Sequence, residues 1–209
     1  MKHIRNLTER YPALAVCEAE LCSVTLLLIE TFAHGGKLLL CGNGGSSADC
    51  EHIAGELMKG FLKPRRLSKE RREALLSRSP SLTDATLASL QGGLAAIPLP
   101  SLTALGTAFA NDESPALSFA QATLALGREG DALLAVSTSG NAENVLEAAR
   151  VAKGLGMSVI GLTGEGGGAL LSVCDLTVRV PERETYKVQE LHLPVYHAIC
   201  AEIEECFFA

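Results

Sequence analysis

Apolar residues recur along the chain with two spacings, one typical of helices and one typical of buried strands. Over residues 11–34 they recur at helical spacing until Gly35-Gly36, which predicts a long amphipathic helix. Helices are also predicted over residues 46–60, 142–155 and 185–207. Short apolar runs predict buried strands over residues 37–41, 95–99, 132–136, 158–162 and 176–180. This alternation indicates an α/β fold with a parallel sheet flanked by helices.

Residues 62–91 follow neither spacing clearly. The segment is charged at first and then rich in Ser and Thr, and a short helix is predicted near residues 69–76. Its basic cluster, Lys63-Pro64-Arg65-Arg66 followed by Lys69, Arg71 and Arg72, is typical of a solvated face. We therefore predict one domain over residues 1–209, with an N-terminal helical element over 1–34 and a surface insertion over 62–91.

Charge, cysteine content and hydropathy argue against a nucleic-acid-binding, a disulfide-bonded or a membrane-spanning protein. The net charge is -6 and no basic stripe is present, so direct nucleic-acid binding is not expected. The 7 cysteines include no CxxC pair, as expected in a reducing compartment. The first ten residues are polar, and no uninterrupted apolar run reaches the ~20 residues of a membrane span. A soluble cytoplasmic protein without a membrane segment is expected.

Two loops of similar composition each follow a predicted strand and precede a predicted helix. They are Cys41-Gly42-Asn43-Gly44-Gly45-Ser46-Ser47 and Ser137-Thr138-Ser139-Gly140-Asn141. A helix start presents free N–H groups and partial positive charge, and glycine allows close approach, so both loops suit a phosphate. Neither loop has a Walker lysine or the GxGxxG spacing, so no nucleotide cofactor is expected. Ordinary helix capping by Ser, Thr and Asn is the alternative.

Three motifs together resemble a known family. GNGGSSADCEHIAGEL (42–57), STSGN (137–141) and VQELHLPVYH (188–197) are similar to the sugar isomerase (SIS) domain, and most similar to its phosphoheptose isomerase branch. The resemblance covers nearly the whole chain. It implies a flavodoxin-like sheet and a homotetramer, with N- and C-terminal helices packing between subunits. It also implies a phosphorylated sugar as partner, with sedoheptulose 7-phosphate converted to D-glycero-D-manno-heptose 7-phosphate through an enediol.

The resemblance also implies site residues. With Ser46 of the first loop included, the substrate contacts are Asn43, Gly44, Gly45, Ser46, Glu56, Asn111, Asp112, Ser137, Thr138, Ser139 and Gln189. The zinc ligands implied by the family are His52, Glu56, Gln189 and His197. Glu56 and His197 would also form the acid–base pair. Asn111-Asp112 is expected to lie in a loop that contacts sugar hydroxyls, with a simple turn as the alternative.

The spacing of these residues supports part of that assignment. His52 and Glu56 are four residues apart, so they share one face of a helix and can bind one ion. Gln189 and His197 are eight residues apart, about 12 Å along a helix. Either the helix starts after Gln189, or the two act from different subunits, or only one binds tightly. His192 competes as a ligand, or is a buried core histidine.

Three features depart from the family pattern. Ala142 stands where the family has Ser, Tyr186 stands where it has Asp, and the 62–91 segment is long. They leave open an isomerase or lyase acting on another phosphosugar. A binding module that senses sugar phosphates or binds a partner protein is a further alternative.

Overall fold

The computed structural model describes residues 1–208, within which five parallel strands form one sheet in the order β2-β1-β3-β4-β5. The strands are β1 (Leu38–Gly42), β2 (Ala96–Pro98), β3 (Ala132–Val136), β4 (Ser158–Thr163) and β5 (Leu176–Arg179). This is the flavodoxin-like order, in which the direction of winding reverses between β1 and β3. The predicted fold class is therefore confirmed.

Helices cover both faces of this sheet. Over residues 1–208 they are α1 (Lys2–Arg10), α2 (Glu18–Ala33), α3 (Gly45–Met58), α4 (Lys69–Arg78), α5 (Asp84–Ser89), α6 (Thr103–Asp112), α7 (Ser118–Leu126), α8 (Glu143–Gly154) and α9 (Thr185–Phe207). The strand side chains alternate between two cores. Leu38 and Leu40 pack with α2, α3 and α9, while Leu39 and Cys41 pack with α8. Helices α3 and α9 thus lie on the same face of the sheet.

The predicted elements match the structure to within a few residues, with some corrections. The expected helix over 11–34 begins as a 3₁₀ helix, Pro12–Cys17, before α2 continues it. Pro12 suits such a start because it has no N–H to satisfy. Helices α1, α5, α6 and α7 were not predicted, because each is only six to ten residues long and carries a mixed polar and apolar pattern.

The 62–91 segment is mostly exposed, but it is not a purely solvated surface. Helix α4 buries no residue. In contrast, Arg65 and Leu87 are almost fully buried. The expectation of a uniformly solvated basic cluster was wrong for Arg65, because a carboxylate, Glu204, meets its guanidinium inside the protein.

The segment Pro12–Ala33 is more apolar than the sequence pattern suggested. Its 22 residues include an 18-residue stretch with a mean hydropathy of 1.8, so by length and composition alone the segment could cross a membrane. Leu21, Val24 and Leu28 lie in the protein core. Val16 and Leu26 remain 71% and 59% exposed, so the segment has apolar side chains on two sides.

Candidate active site

The two glycine- and serine-rich loops lie side by side. Strands β1 and β3 pair directly, with Gly42 opposite Val136, so both loops leave the sheet at the point where its winding reverses. Ligands of open α/β sheets bind at this point. The amides of Asn43 and Asn144 bridge the two helix starts, each Nδ2 donating to the other Oδ1 at 2.9 Å.

Glycine is required at one position in each loop. Gly44 and Gly140 have φ values of +54° and +67°, which other residues rarely adopt. A Cβ at Gly140 would lie 1.9 Å from the carbonyl oxygen of Gly167. The second loop is further held by Asn141, whose Oδ1 accepts from the Ala169 N–H at 2.9 Å. The loop geometry is therefore fixed by the protein itself.

Neither helix start uses a side-chain cap. The residue before α3 is Gly44 and the one before α8 is Ala142, and neither makes a capping hydrogen bond. The capping alternative therefore does not account for the Ser and Thr content of the loops. In the described part of the chain, the N–H groups of Thr138 and Ser139 meet no protein acceptor. The second loop therefore presents donors suited to an anion.

The predicted substrate residues of the loops differ in exposure. Asn43, Gly44 and Gly45 are exposed, and so is Ser139. Thr138 is partly exposed, whereas Ser137 is buried. Ser46 is also buried, with its Cβ packed over Gly42. The exposed groups of the two loops are therefore the ones that face incoming ligand, and Ser46 lies beneath them.

Three predicted catalytic or metal-binding side chains come together between α3 and α9. His52 Nε2 lies 3.2 Å from Glu56 Oε1 across one turn of α3. His197, on α9, brings its Nε2 to 3.3 Å from the same His52 nitrogen. Glu56 is largely buried, while His52 is 42% exposed. The α3–α9 contact thus assembles a His–Glu–His group, about two to three helical turns along α3 from the first loop.

Two residues that were not predicted orient His52. The Tyr196 hydroxyl lies 3.0 Å from His52 Nδ1 and donates to Asp49 Oδ1 at 3.2 Å. Because the hydroxyl has one hydrogen, it accepts from the protonated Nδ1 of His52. That leaves Nε2 with its lone pair directed at the cluster. Asp49, His52 and Glu56 share one helix face by their spacing, a signal that identifies Asp49 from the sequence.

The cluster has acceptor atoms that face one another. In that tautomer His52 Nε2 and Glu56 Oε1 are both acceptors, so a proton or a cation between them would stabilise the arrangement. Glu56 Oε2 is buried without a hydrogen bond, and the Lys59 Nζ lies 3.5 Å from it. Burial and the neighbouring His52 lower the pKa of His197, although Glu56 opposes this. His197 is therefore favoured as a neutral imidazole.

Gln189 and His197 lie in different places within one chain. Helix α9 begins at Thr185, so the suggestion that it starts after Gln189 was wrong. The Gln189 amide packs on Gly45, where an added Cβ would be 2.5 Å from its Nε2. His192 is fully buried, so the core-histidine interpretation fits it. Gln189 therefore joins the first loop, and His197 joins His52 and Glu56.

The donor set suits zinc in its chemistry. Imidazole nitrogens and a carboxylate are common zinc ligands, and catalytic sites often combine two His with one Glu. Over residues 1–208, however, no three His, Cys, Asp or Glu side chains are already arranged around one point. The Glu56 Oε2 atom, which has no hydrogen bond, and the free Nε2 lone pair of His52 suit a cation. The donor atoms of the single chain nevertheless contact one another directly, at 3.2 Å between His52 and Glu56 and 3.3 Å between His52 and His197.

Asn111 and Asp112 were predicted to lie in a loop, but this was wrong. They end helix α6, and both are exposed. Asn111 Nδ2 donates to Asp112 Oδ1 at 2.9 Å. The apolar run before them, Ala108-Phe109-Ala110, belongs to the helix. A run of small and apolar residues followed by Asn-Asp is compatible with both structures, so the sequence did not distinguish them.

Several known proteins similar to this chain are phosphoheptose isomerases. The SIS domain family matches residues 93–164. A phosphoheptose isomerase of Roseiflexus sp. is 39% identical over 181 residues, which cover 87% of this chain and 79% of that protein. The solved phosphoheptose isomerase of Neisseria gonorrhoeae has a TM-score of 0.75 at 30% identity, covering 98% of this chain and 96% of its own. That of Francisella tularensis gives 0.77 at 30% identity, covering 94% and 91%.

Proposed function

The chain belongs to the phosphoheptose isomerase family of SIS domain proteins, and we propose that it isomerises sedoheptulose 7-phosphate to D-glycero-D-manno-heptose 7-phosphate. One observation carries the proposal. An anion-binding loop with free N–H groups lies at the reversal point of the sheet, and α3 leads from the neighbouring loop to a His–Glu–His cluster about two to three helical turns further on. The first feature suits the phosphate of the substrate, and the second suits proton transfer at its other end.

The loops would hold the phosphate. The N–H groups of Thr138 and Ser139 would donate to its oxygens, and the adjacent hydroxyls would add hydrogen bonds without adding charge. Asn43, Gly44 and Gly45 border the same space, and the Gln189 amide packs on Gly45. We assign these residues to substrate binding, with Ser137 and Ser46 supporting the loops from below. Asn111 and Asp112 remain predicted substrate contacts, although within a single chain they are not among the residues that border the two loops.

Glu56 and His197 would move the protons. In an aldose–ketose isomerisation, a base removes a proton from C1 of the ketose and returns it to C2, while a proton moves from O1 to O2. Glu56 is placed for the carbon-bound proton because its carboxylate is largely buried and lies 3.2 Å from His52. His197, favoured as the neutral imidazole, can both accept and donate a proton at oxygen. The reaction has no net oxidation or reduction.

We further propose a zinc ion held by His52, Glu56 and His197. When bound, zinc would polarise the substrate carbonyl and stabilise the enediolate. Tyr196 and Asp49 hold His52 in the tautomer that a metal requires. Gln189 is retained as a predicted fourth ligand, and its position on Gly45 favours a contribution from a second subunit over one from the same chain.

A homotetramer in the cytoplasm is part of the same proposal. The exposed Val16 and Leu26 lie on the helical segment Pro12–Ala33, and apolar side chains of this kind suit a subunit interface. Gel filtration with light scattering would measure the assembly directly.

Another phosphosugar substrate is the second candidate. Ala142 precedes α8 without a capping group, so one hydroxyl of the family pattern is absent next to the phosphate loop. Purified protein should be incubated with sedoheptulose 7-phosphate and a panel of other phosphosugars, with and without zinc. Fastest turnover of the heptose supports the proposal. Turnover of another sugar only supports the second candidate, and tight binding of one sugar without any turnover supports a sensor.

A further inference from the structure

A buried ion pair lies two helical turns from the catalytic cluster. The side chains of Arg65 and Glu204 are 0% and 1% exposed, and Arg65 Nε donates to Glu204 Oε1 at 2.8 Å. Arg65 belongs to the segment that follows α3, and Glu204 belongs to α9. The pair therefore connects the two helices that carry Glu56 and His197.

Arg65 holds the C-terminal end of α3. Its Nη1 donates to the Leu57 carbonyl at 2.6 Å, and its Nη2 donates to the Glu56 carbonyl at 2.8 Å. The last carbonyls of a helix have no partner within it, and a cation there also complements the helix dipole. The guanidinium thus bonds the backbone of Glu56, the residue whose side chain is the proposed base.

Glu204 fixes the segment that links α3 to Arg65. Its two carboxylate oxygens accept from the N–H groups of Phe61, Leu62 and Lys63 at 2.8, 2.7 and 3.1 Å. Burial alone would raise the pKa of Glu204, but these N–H groups and Arg65 outweigh it and lower the pKa. The carboxylate is thus ionised and fully hydrogen-bonded.

The fixed segment also reaches His197. The Phe61 ring packs against the His197 ring, with centroids 5.4 Å apart. Its backbone N–H is one of those held by Glu204. Glu204 itself lies seven residues after His197, two turns along the same side of α9. His197 is therefore located both through its own helix and through the Phe61 ring.

We propose that Arg65 and Glu204 are positioning residues, which set the end of α3 against α9 and so hold Glu56 and His197 at the separation that proton transfer requires. The inference rests on the proposed function. A buried ion pair is weak evidence for stability, since a well-packed apolar pair is often as stable. The Arg65–Glu204 pair makes directional hydrogen bonds to the end of α3 and to the segment that follows it. These bonds define the position of α3 relative to α9, which an apolar pair would not do.

Arg65→Lys and Arg65→Met test the proposal against Asp131→Asn. Lysine keeps the charge but cannot present the guanidinium fork to three acceptors. Asp131 forms a buried pair with Lys37 and accepts from the N–H groups of Lys37 and Arg128, at the N-terminal ends of β1 and β3. It is thus a matched buried carboxylate whose hydrogen bonds go to neither α3 nor α9.

We expect kcat to fall about tenfold in Arg65→Lys and further in Arg65→Met, with KM within about twofold, at a temperature where circular dichroism shows folded protein. Asp131→Asn should lower Tm and leave kcat within about twofold. Unchanged kcat in folded Arg65→Lys, or an equal loss in Asp131→Asn, would overturn the proposal. Arg65→Lys decides the matter if Arg65→Met does not fold.

A crystal structure of Arg65→Lys separates this inference from the proposed function. We expect the 3.3 Å separation of the His52 and His197 Nε2 atoms to change. If the wild-type protein turns over no phosphosugar, the proposed function fails, and the positioning role is then decided by this separation alone. An unchanged separation would refute it.

Discussion

His52 and His197 are 145 residues apart in the sequence, yet their Nε2 atoms lie 3.3 Å apart where α3 meets α9. Each histidine also contacts the Tyr196 ring edge to face, with centroids 5.5 and 5.0 Å away. The cluster therefore depends on how two helices pack, and on the one tyrosine between them.

Glu56→Gln should abolish most of the turnover while leaving the protein folded. The amide keeps the shape of the side chain but cannot accept the carbon-bound proton, so we expect kcat to fall about 10²- to 10⁴-fold. A coupled assay of heptose phosphate formation measures it. Glu51→Gln is the control, because Glu51 is exposed on the same helix and its amide oxygen still accepts from Ser101. A Glu56→Gln enzyme with normal kcat would exclude Glu56 as the base.

Removing metal should lower turnover reversibly. If zinc is held by His52, Glu56 and His197, dialysis against a chelator should reduce kcat about tenfold or more, and added zinc should restore it. Elemental analysis should find less zinc in His52→Gln than in the wild type. His34→Gln, which alters an exposed histidine, should keep its zinc. Full turnover by protein without detectable metal would contradict the zinc proposal.

Gly140→Ala should damage both the fold and phosphate binding. The added Cβ meets the Gly167 carbonyl oxygen at 1.9 Å, in a backbone conformation with φ of +67°. We expect a loss of about 3 kcal/mol in the free energy of unfolding, together with weaker phosphosugar binding by calorimetry. Gly154→Ala is the comparison, because its Cβ would have no atom within 4 Å and it lies in helix α8. That variant should be neutral or about 1 kcal/mol more stable. Equal stability of both variants would show that Gly140 is not constrained.

Local patterns were sufficient for most of the fold. The strand Ala132–Val136 and the helix Thr185–Phe207 have the predicted bounds, because a continuous apolar run and a long helical period are unambiguous over such lengths. Helix α6 was missed because its ten residues carry no buried side chain and hence no clear period. Whether such a short helix forms depends on tertiary packing, which the local sequence pattern does not show.

The site was less accessible from the sequence than the fold. The spacing of Asp49, His52 and Glu56 places them on one helix face, but nothing local indicated that Tyr196, 144 residues from His52, would orient the imidazole. Arg65 looked like part of a solvated basic cluster, since the sequence does not reveal that Glu204, 139 residues later, meets it in the interior. Contacts between distant segments supplied this part of the site.

His192 should make stability depend on pH in a defined window. It is fully buried, both ring nitrogens lack a hydrogen bond of good geometry, and burial lowers its pKa to about 4. A contact with the Thr163 backbone opposes this only in part. Between the unfolded pKa of about 6.5 and the folded value, the unfolded state binds a proton that the folded state does not. The free energy of unfolding should therefore fall as the pH decreases through that window.

The loss should reach about 3 kcal/mol at most and level off below pH about 4 for this group. His192→Leu removes the titrating ring, so its urea-unfolding stability relative to the wild type should improve steadily as the pH is lowered from 7 to 4. The same substitution at the exposed His34 is the comparison for the loss of an imidazole as such. All other titratable groups are the same in both proteins. The difference in free energy of unfolding between wild type and His192→Leu therefore isolates the buried imidazole. Parallel stability curves for the two proteins would show that His192 does not stay neutral in the fold.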